Sequence, residues 1–259
     1  MSCKRVFVPP GDIRENRVEV RGAEFHHLAR VRRVRPGAAV EVFDGEGRGW
    51  SARVDSVARK SLVLILESPL DPSGREPALA VRLCQGVPAT RGTMGEIVAG
   101  ATELGAGRVT PVVTARTRAV LLRNRGGLAR RRPRWERIAR DACKSSGRFR
   151  PPLIDDPLPF EDLLQQAAAD GGLLLIPAEH GTHPSIPDTL APEPAAGAVT
   201  LLVGPEGGWA DDEMDRALAA GFRPVSLGPR ILRTATAALA AITAVQLAAG
   251  DMSSPRNRG

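Results

Sequence analysis

Tyrosine is absent from this chain of 259 residues, and aromatic side chains make up 3% of it. Single-stranded nucleic acid held by base stacking needs a series of such rings, so the composition argues against an aromatic stacking platform. Cysteine is scarce as well. Cys3, Cys84 and Cys143 are odd in number and widely spaced, a pattern of a reduced cytoplasmic protein rather than a disulfide scaffold or a zinc site. Long apolar runs are missing. The opening MSCKRVFVPP has no signal-peptide core before Pro9, and the most apolar stretch, residues 235–249, is interrupted by Thr236, Thr243 and Gln246 and is too short to cross a bilayer. The expectation is a cytoplasmic protein with no membrane partner. Several signatures are also absent: no GxGxxG, no glycine loop ending in Gly-Lys-Ser/Thr and no GxSxG, which removes support for a dinucleotide dehydrogenase, a P-loop nucleotidase and a serine hydrolase. His180 and His183 are spaced like metal ligands but have no cysteine or acidic partner at a standard offset, so no metal is expected.

What is present is positive charge. Lys and Arg number 36 against 29 Asp and Glu, a net charge of +7, which favours a polyanionic partner because each phosphate neutralised releases counterions. Only Lys4, Lys60 and Lys144 are lysines. Hydrophobic residues at 42% and charged residues at 25% are a globular balance, and the length suits two domains. Segments 18–20, 39–43, 50–57 and 62–66 read as strands, with Asp44-Gly45-Glu46-Gly47 as a turn, and predict a small barrel. Between them residues 23–34 read as a helix with Leu28 and Val31 buried. It carries His26, His27, Arg30, Arg32 and Arg33, either as a solvated basic face or as a phosphate-contacting one. The stretch PLDPSGREP at 69–77 reads as a linker and divides the chain into 1–72 and 73–259. Beyond it strand and helix alternate: 79–85, 93–104, 108–113, 134–146, 160–169 and 173–176. That rhythm predicts a parallel sheet with helices on both faces. Residues 178–198 read as irregular surface. The arginine run 116–137, with Arg130-Arg131-Arg132 and Arg134, is either a second phosphate surface or a solvated loop.

The segment 199–246 organises the rest. Residues 199–203 form an apolar run that stops at Gly204-Pro205, Gly207-Gly208 presents bare backbone, and Asp211, Asp212 and Glu213 stand where a helix begins, favourable to its positive end. Gly221, Phe222 and Pro224 mark its stop. A second strand, 224–227, ends in Gly228-Pro229 and leads through Arg230 and Arg233 into an alanine-rich helix. Two glycine loops at the carboxyl ends of neighbouring strands are where open α/β sheets bind ligands. The pattern alone leaves that ligand open.

Leu202-Val203-Gly204-Pro205-Glu206-Gly207-Gly208-Trp209 and Ser226-Leu227-Gly228-Pro229-Arg230-Ile231-Leu232-Arg233-Thr234 closely resemble the RsmE family, SPOUT-class methyltransferases that modify N3 of a uridine in small-subunit ribosomal RNA. The resemblance extends to Ala101-Thr102-Glu103-Leu104-Gly105, Ser146-Gly147-Arg148 and His26-His27-Leu28. It implies a SPOUT-type parallel sheet with a C-terminal trefoil knot, an N-terminal PUA-like barrel for RNA, and a homodimer with its site at the interface. It also implies S-adenosylmethionine held by Pro177, Val203, Gly204, Pro205, Glu206, Gly207, Leu227, Gly228, Ile231, Leu232 and Thr234. Arg233 and Arg230 are candidates for stabilising the uridine anion. Glu206 is a candidate base, or else a turn cap or cofactor-orienting group. His27, Arg30, Arg32, Arg33 and Arg148 are candidates for RNA contact. The alternative is a non-catalytic, dimeric RNA-binding or ribosome-assembly factor on the same fold. Three departures accompany the resemblance: Gly100 where family members usually carry Lys, Lys144-Ser145 where they carry Glu-Gln, and Ala235 where they carry Glu.

Overall fold

A computed structural model describes residues 4–117, 127–191 and 197–253. The chain forms two compact units, residues 4–76 with 140–151, and 77–139 with 152–253 of the described chain.

The first unit holds a six-stranded sheet of β1 (Arg5–Phe7), β2 (Ile13–Arg14), β3 (Arg17–Arg21), β4 (Ala39–Phe43), β5 (Gly49–Val57) and β6 (Ser61–Leu70), ordered β1-β4-β5-β6-β3-β2. Every pairing is antiparallel except β1 with β4. Alternation does the sorting: Val18, Val20, Val40, Val42, Val54, Leu62 and Leu64 turn inward around Leu28, while Arg17, Glu19 and Arg21 turn out. Pro69 and Leu70, read as linker, instead complete β6 opposite Trp50 and Gly49. Arg75 and Glu76 are tied down too, Arg75 to Glu41 and Glu76 to the backbone N–H groups of Phe149 and Arg150. The segment 140–151, placed after the division at 72/73 in sequence, clusters with this unit. Its anchor is Arg5, which donates to the Cys143 and Arg148 carbonyls, pairs with Glu41 and lies over the Phe43 and Phe149 rings. Burial draws the Arg5 pKa below its ordinary value, against the raising influence of Glu41.

The helix expected at 23–34 is a short α1 (Gly22–Phe25) that widens into a π-type turn over His26–Val31. The wider turn breaks the alignment of residues three apart. Leu28 is therefore buried, whereas Val31, expected inside, is 61% exposed. Arg33 adopts φ +50°, a left-handed step that ends the turn and returns Val34 to the core.

The second unit is a parallel sheet of β7 (Ala80–Gly86), β8 (Arg108–Val113), β9 (Leu153–Ile154), β10 (Leu158–Pro159), β11 (Leu173–Pro177), β12 (Ala198–Val203) and β13 (Arg223–Val225). The order is β10-β8-β7-β12-β11-β13, with β9 beside β8. Its helices are α2 (Thr93–Glu103), α3 (Arg132–Ser146), α4 (Phe160–Asp170), α5 (Ile186–Leu190), α6 (Asp211–Ala219) and α7 (Thr234–Ala248). Successive strand residues serve opposite faces. Leu173, Leu175, Val199, Leu201 and Val203 join α2, α5, α7 and the first turns of α3. Leu174, Ile176 and Leu202 join α4 and α6. Cys84 lies on the second face, a free thiol whose pKa burial pushes up to about 12.

Two expectations need correction. Residues 178–198 are not all irregular: Ser185 caps α5 by accepting from the Asp188 N–H, and Ile186 and Leu190 are buried. Nor are β12 and β13 neighbours, because β11 pairs with both through Leu175, opposite Leu201 on one side and Arg223 on the other.

Candidate active site

Three loops leave the carboxyl ends of β11, β12 and β13 along one edge of the sheet. Backbone contacts join them: the Ala178 N–H donates to the Val225 carbonyl, and the Ser226 N–H to that of Pro184. The Thr234 hydroxyl, buried at the start of α7, donates to the Gly204 carbonyl. Gln85, fully buried at the end of β7, donates its amide to Thr234 Oγ1 at 2.9 Å and toward the Gly204 carbonyl at 3.2 Å. Gly86 is needed there because a Cβ would meet Pro205 N at 2.7 Å.

The loop after β12 is latched at four points. Glu206 accepts from the Ala89 N–H at 2.7 Å and the Thr90 N–H at 3.2 Å, in the loop that leaves β7. Buried Glu213 accepts from Ala115 N at 2.7 Å, beyond β8, and from Ala210 N at 2.8 Å, back-capping α6. Arg116 donates to the Gly207 carbonyl. Trp209 packs on Phe160 with ring centroids 5.6 Å apart and covers Gly204, where a Cβ would lie 3.2 Å from the indole. Both Glu206 oxygens are thus engaged by main chain, the arrangement of an orienting carboxylate. Gly207 is not left-handed; its missing side chain admits Arg116, whose Cδ would be 3.3 Å from a Cβ. Sequence reasoning did not place Arg116 or Glu213 at this site: Arg116 read as the start of the arginine run 116–137, and Glu213 as an acid favouring a helix start.

The segment after β13 is arranged differently. Gly228 has φ +99°, with no atom within 4 Å of where a Cβ would point. Ile231 is 74% exposed, Leu227 and Leu232 are half-buried, and Arg230 and Arg233 are exposed with no ion pair among the described residues. Pro177 and Gly204 are half-buried at the same edge, and Val203 and Pro205 are buried. Arg233 stands at the N-cap of α7 without a side-chain cap, and no acidic residue occupies the first turn.

In the first unit, Arg30, Arg32 and Arg33 are exposed and His27 is half-buried. Among the described residues no salt bridge involves these arginines, although Arg17, Arg21, Arg48 and Arg53 of the same unit are all paired. Arg148 departs from expectation. It is 5% exposed and pairs with Glu76 at 3.1 Å, so it is a buried structural cation and not a surface phosphate contact. Of the arginine run at 116–137, residues 118–126 lie outside the described residues, Arg132 pairs with Glu136 and Asp156, and Arg130 and Arg134 are exposed. No group of three or more potential metal-ligating side chains occurs among the described residues.

The RNA methyltransferase domain family matches residues 75–246, and the RNA methyltransferase PUA domain family matches residues 20–67. The ribosomal RNA small subunit methyltransferase E of Synechocystis sp. is 34% identical over 241 residues, 93% of this chain and 76% of that protein. The chain belongs to the ribosomal RNA small subunit methyltransferase E family. The methyltransferase E of Neisseria gonorrhoeae, solved bound to S-adenosyl methionine, is similar in fold with a TM-score of 0.83 and 30% identity, covering 96% of this chain and 99% of that one. A Legionella pneumophila protein solved with the cofactor SAM has a TM-score of 0.87 and 27% identity, covering 97% of this chain and all of the other. The expected α/β fold with a PUA-like first domain is borne out across methyltransferase E relatives.

Proposed function

We propose that this chain transfers a methyl group from S-adenosylmethionine to N3 of a uridine in small-subunit (16S) ribosomal RNA. The observation that carries the reading is the open, apolar and cationic surface at 227–233 beside a latched glycine loop. An exposed isoleucine next to an unobstructed glycine fits an adenine ring, which would cover Ile231 and Leu232 while loop backbone reads its edges. Pro177, Gly204 and the backbone at 204–208 would complete the cofactor's seat, in the bent pose and trefoil-knotted loops that the family resemblance implies.

Bound S-adenosylmethionine supplies an electrophilic methyl on sulfonium. The chain must hold the uridine in line with it, and most of the acceleration follows from that placement. N3 must also lose its proton, which passes to solvent water, and S-adenosylhomocysteine is the leaving group. Arg230 and Arg233, uncommitted to any carboxylate among the described residues, stabilise the resulting anion. Glu206, its oxygens taken up by main chain, acts as an orienting group. The first domain, residues 1–72, grips RNA through Arg30, Arg32 and Arg33, fixing register rather than reading bases.

The active form is a cytoplasmic homodimer. Helix α7 supports this, since it is apolar on nearly every side. One face is buried through Ala238, Ala241, Ile242 and Val245, and the other presents Ala240, Thr243 and 51%-exposed Leu247. Sedimentation at micromolar concentration should give a dimer that persists on dilution.

The decisive experiment incubates the protein and cofactor with small subunits lacking the modification and analyses digested RNA by mass spectrometry. N3-methyluridine is the expected product. Tight binding of cofactor and subunit without any methylated nucleoside would favour the non-catalytic alternative.

A further inference from the structure

Two arginines stand at the same edge of the sheet, on the loops that leave β7 and β8. Arg91 follows directly on Ala89 and Thr90, whose N–H groups are held by Glu206, and it is exposed with no ion pair among the described residues. Arg116 lies across Gly207 and is also exposed. Among the described residues its one hydrogen bond is to a neutral carbonyl. A guanidinium has five donors, so most of the Arg116 fork is uncommitted there, and no described carboxylate pairs with it. The nearby acids are spent elsewhere: Glu206 and Glu213 on main-chain N–H groups, and Asp212 on Arg216. The carboxylate latches fix the loops leaving β7 and β8 against the glycine loop.

We infer that Arg91 and Arg116 form a phosphate-gripping rim for the RNA strand that delivers the target nucleotide, with Glu206 and Glu213 as the positioning residues that hold the rim beside the cofactor seat. The inference rests on the RNA-methyltransferase reading and extends it to residues on the β7 and β8 loops. The bound chemistry is a run of phosphodiesters. Contact is through charge and the planar guanidinium fork, so lysine should substitute in part and glutamine should not.

The test measures binding of unmodified small subunits to the full-length protein across a salt series, with S-adenosylhomocysteine present so that no turnover is required. Arg91→Gln and Arg116→Gln should each weaken binding roughly tenfold at low salt, the scale of one charge-assisted hydrogen bond. Each should also flatten the slope of log affinity against log salt by about 0.7, the loss of one single-strand phosphate contact. Arg91→Lys and Arg116→Lys should restore the slope. Melting temperature and calorimetric cofactor affinity should stay at wild-type values in Arg91→Gln, whereas Arg116→Gln also loses its bond to the Gly207 carbonyl and is judged on its salt slope at saturating S-adenosylhomocysteine. An unchanged slope in both glutamine variants overturns the proposal, as does a loss of cofactor affinity or melting temperature in Arg91→Gln that accounts for its weaker binding. Because the readout is binding, a wild-type protein that binds subunits but yields no N3-methyluridine would contradict the assigned reaction and leave the rim supported or refuted on its own slope.

Discussion

The loops after β12 and β13 both carry a Gly-Pro pair, Gly204-Pro205 and Gly228-Pro229, yet they are held in opposite ways. The first is bound by Glu206, Glu213, Arg116 and Trp209 to three other elements. The second is tied among the described residues at its start, where the Ser226 N–H donates to the Pro184 carbonyl and the Gly228 N–H to Ser226 Oγ at 3.1 Å, and leaves Arg230, Ile231 and Arg233 facing outward. The difference separates two jobs that look alike in sequence. One loop spends its polar side chains on its own placement, and the other leaves them exposed, as the proposed cofactor and uridine site requires. A buried or latched carboxylate costs little once its main-chain donors are aligned, whereas an exposed isoleucine and unpaired arginines are stabilised only when something covers them.

Changing the open loop should give the largest effect. Gly228→Val places a β-branched side chain at φ +99° and projects it into the cofactor's space. Strain of about 1–3 kcal/mol favours a relaxed loop that binding must drive back, and with the side chain standing in the proposed seat it predicts a tenfold to hundredfold loss of S-adenosylmethionine affinity by calorimetry. Gly207→Ala, on the latched loop and without a positive φ, should change it by less than about threefold, since only the Arg116 stem must shift. Equal losses in both variants would erase the contrast between the loops.

The start of α7 sharpens it. Ala235 sits half-buried in a first turn with no acid, beside two unpaired arginines. Ala235→Glu places a carboxylate at the positive end of the helix, within reach of orienting Arg233 or helping remove the uridine proton. It should raise single-turnover methylation at saturating RNA and cofactor by about tenfold, or ~1.4 kcal/mol of barrier, without comparable tightening of RNA binding. A wild-type rate equal to that of the variant would refute this. Thr234→Val should act more weakly on turnover and more on stability. It removes the hydroxyl shared by Gln85 and the Gly204 carbonyl, for about 1–2 kcal/mol lost in denaturant unfolding and a rate change of only a few fold.

Much of this architecture was legible because burial on both faces of a parallel strand writes a near-continuous apolar run. Val199-Thr200-Leu201-Leu202-Val203 is such a run, broken only by buried Thr200, and α6 is closed off by Gly221, whose φ of +96° lets Phe222 N–H reach the Ala217 carbonyl. What was not legible depends on contacts distant in sequence. Insertion of β11 between β12 and β13 is set by pairing, not by local pattern. The exposure of Val31 follows from a π-type turn that an α-helical period does not anticipate. Arg148 and Arg116 belong to equally basic stretches, but only Arg148 meets a carboxylate, Glu76, which is 72 positions away. Leu239 fills the space beside Gly100, where a Cβ would meet it at 2.6 Å, so that departure from the family is matched by a packing partner on α7. Lys144, another departure, pairs with Glu24 and Asp141.

The division of labour between the loops turns on Glu206, the one acidic residue that sequence and resemblance offered as a base and that here holds main chain instead. Single-turnover methylation of unmodified small subunits by Glu206→Gln, at saturating S-adenosylmethionine, measures this directly. An amide retains an acceptor for one of the two N–H groups, so an orienting role predicts a rate within about tenfold of wild type, with a higher cofactor concentration needed to reach saturation. Loss of a general base predicts a fall of about 10²- to 10⁴-fold at unchanged cofactor affinity, and that result would contradict the assignment of Glu206 to the scaffold.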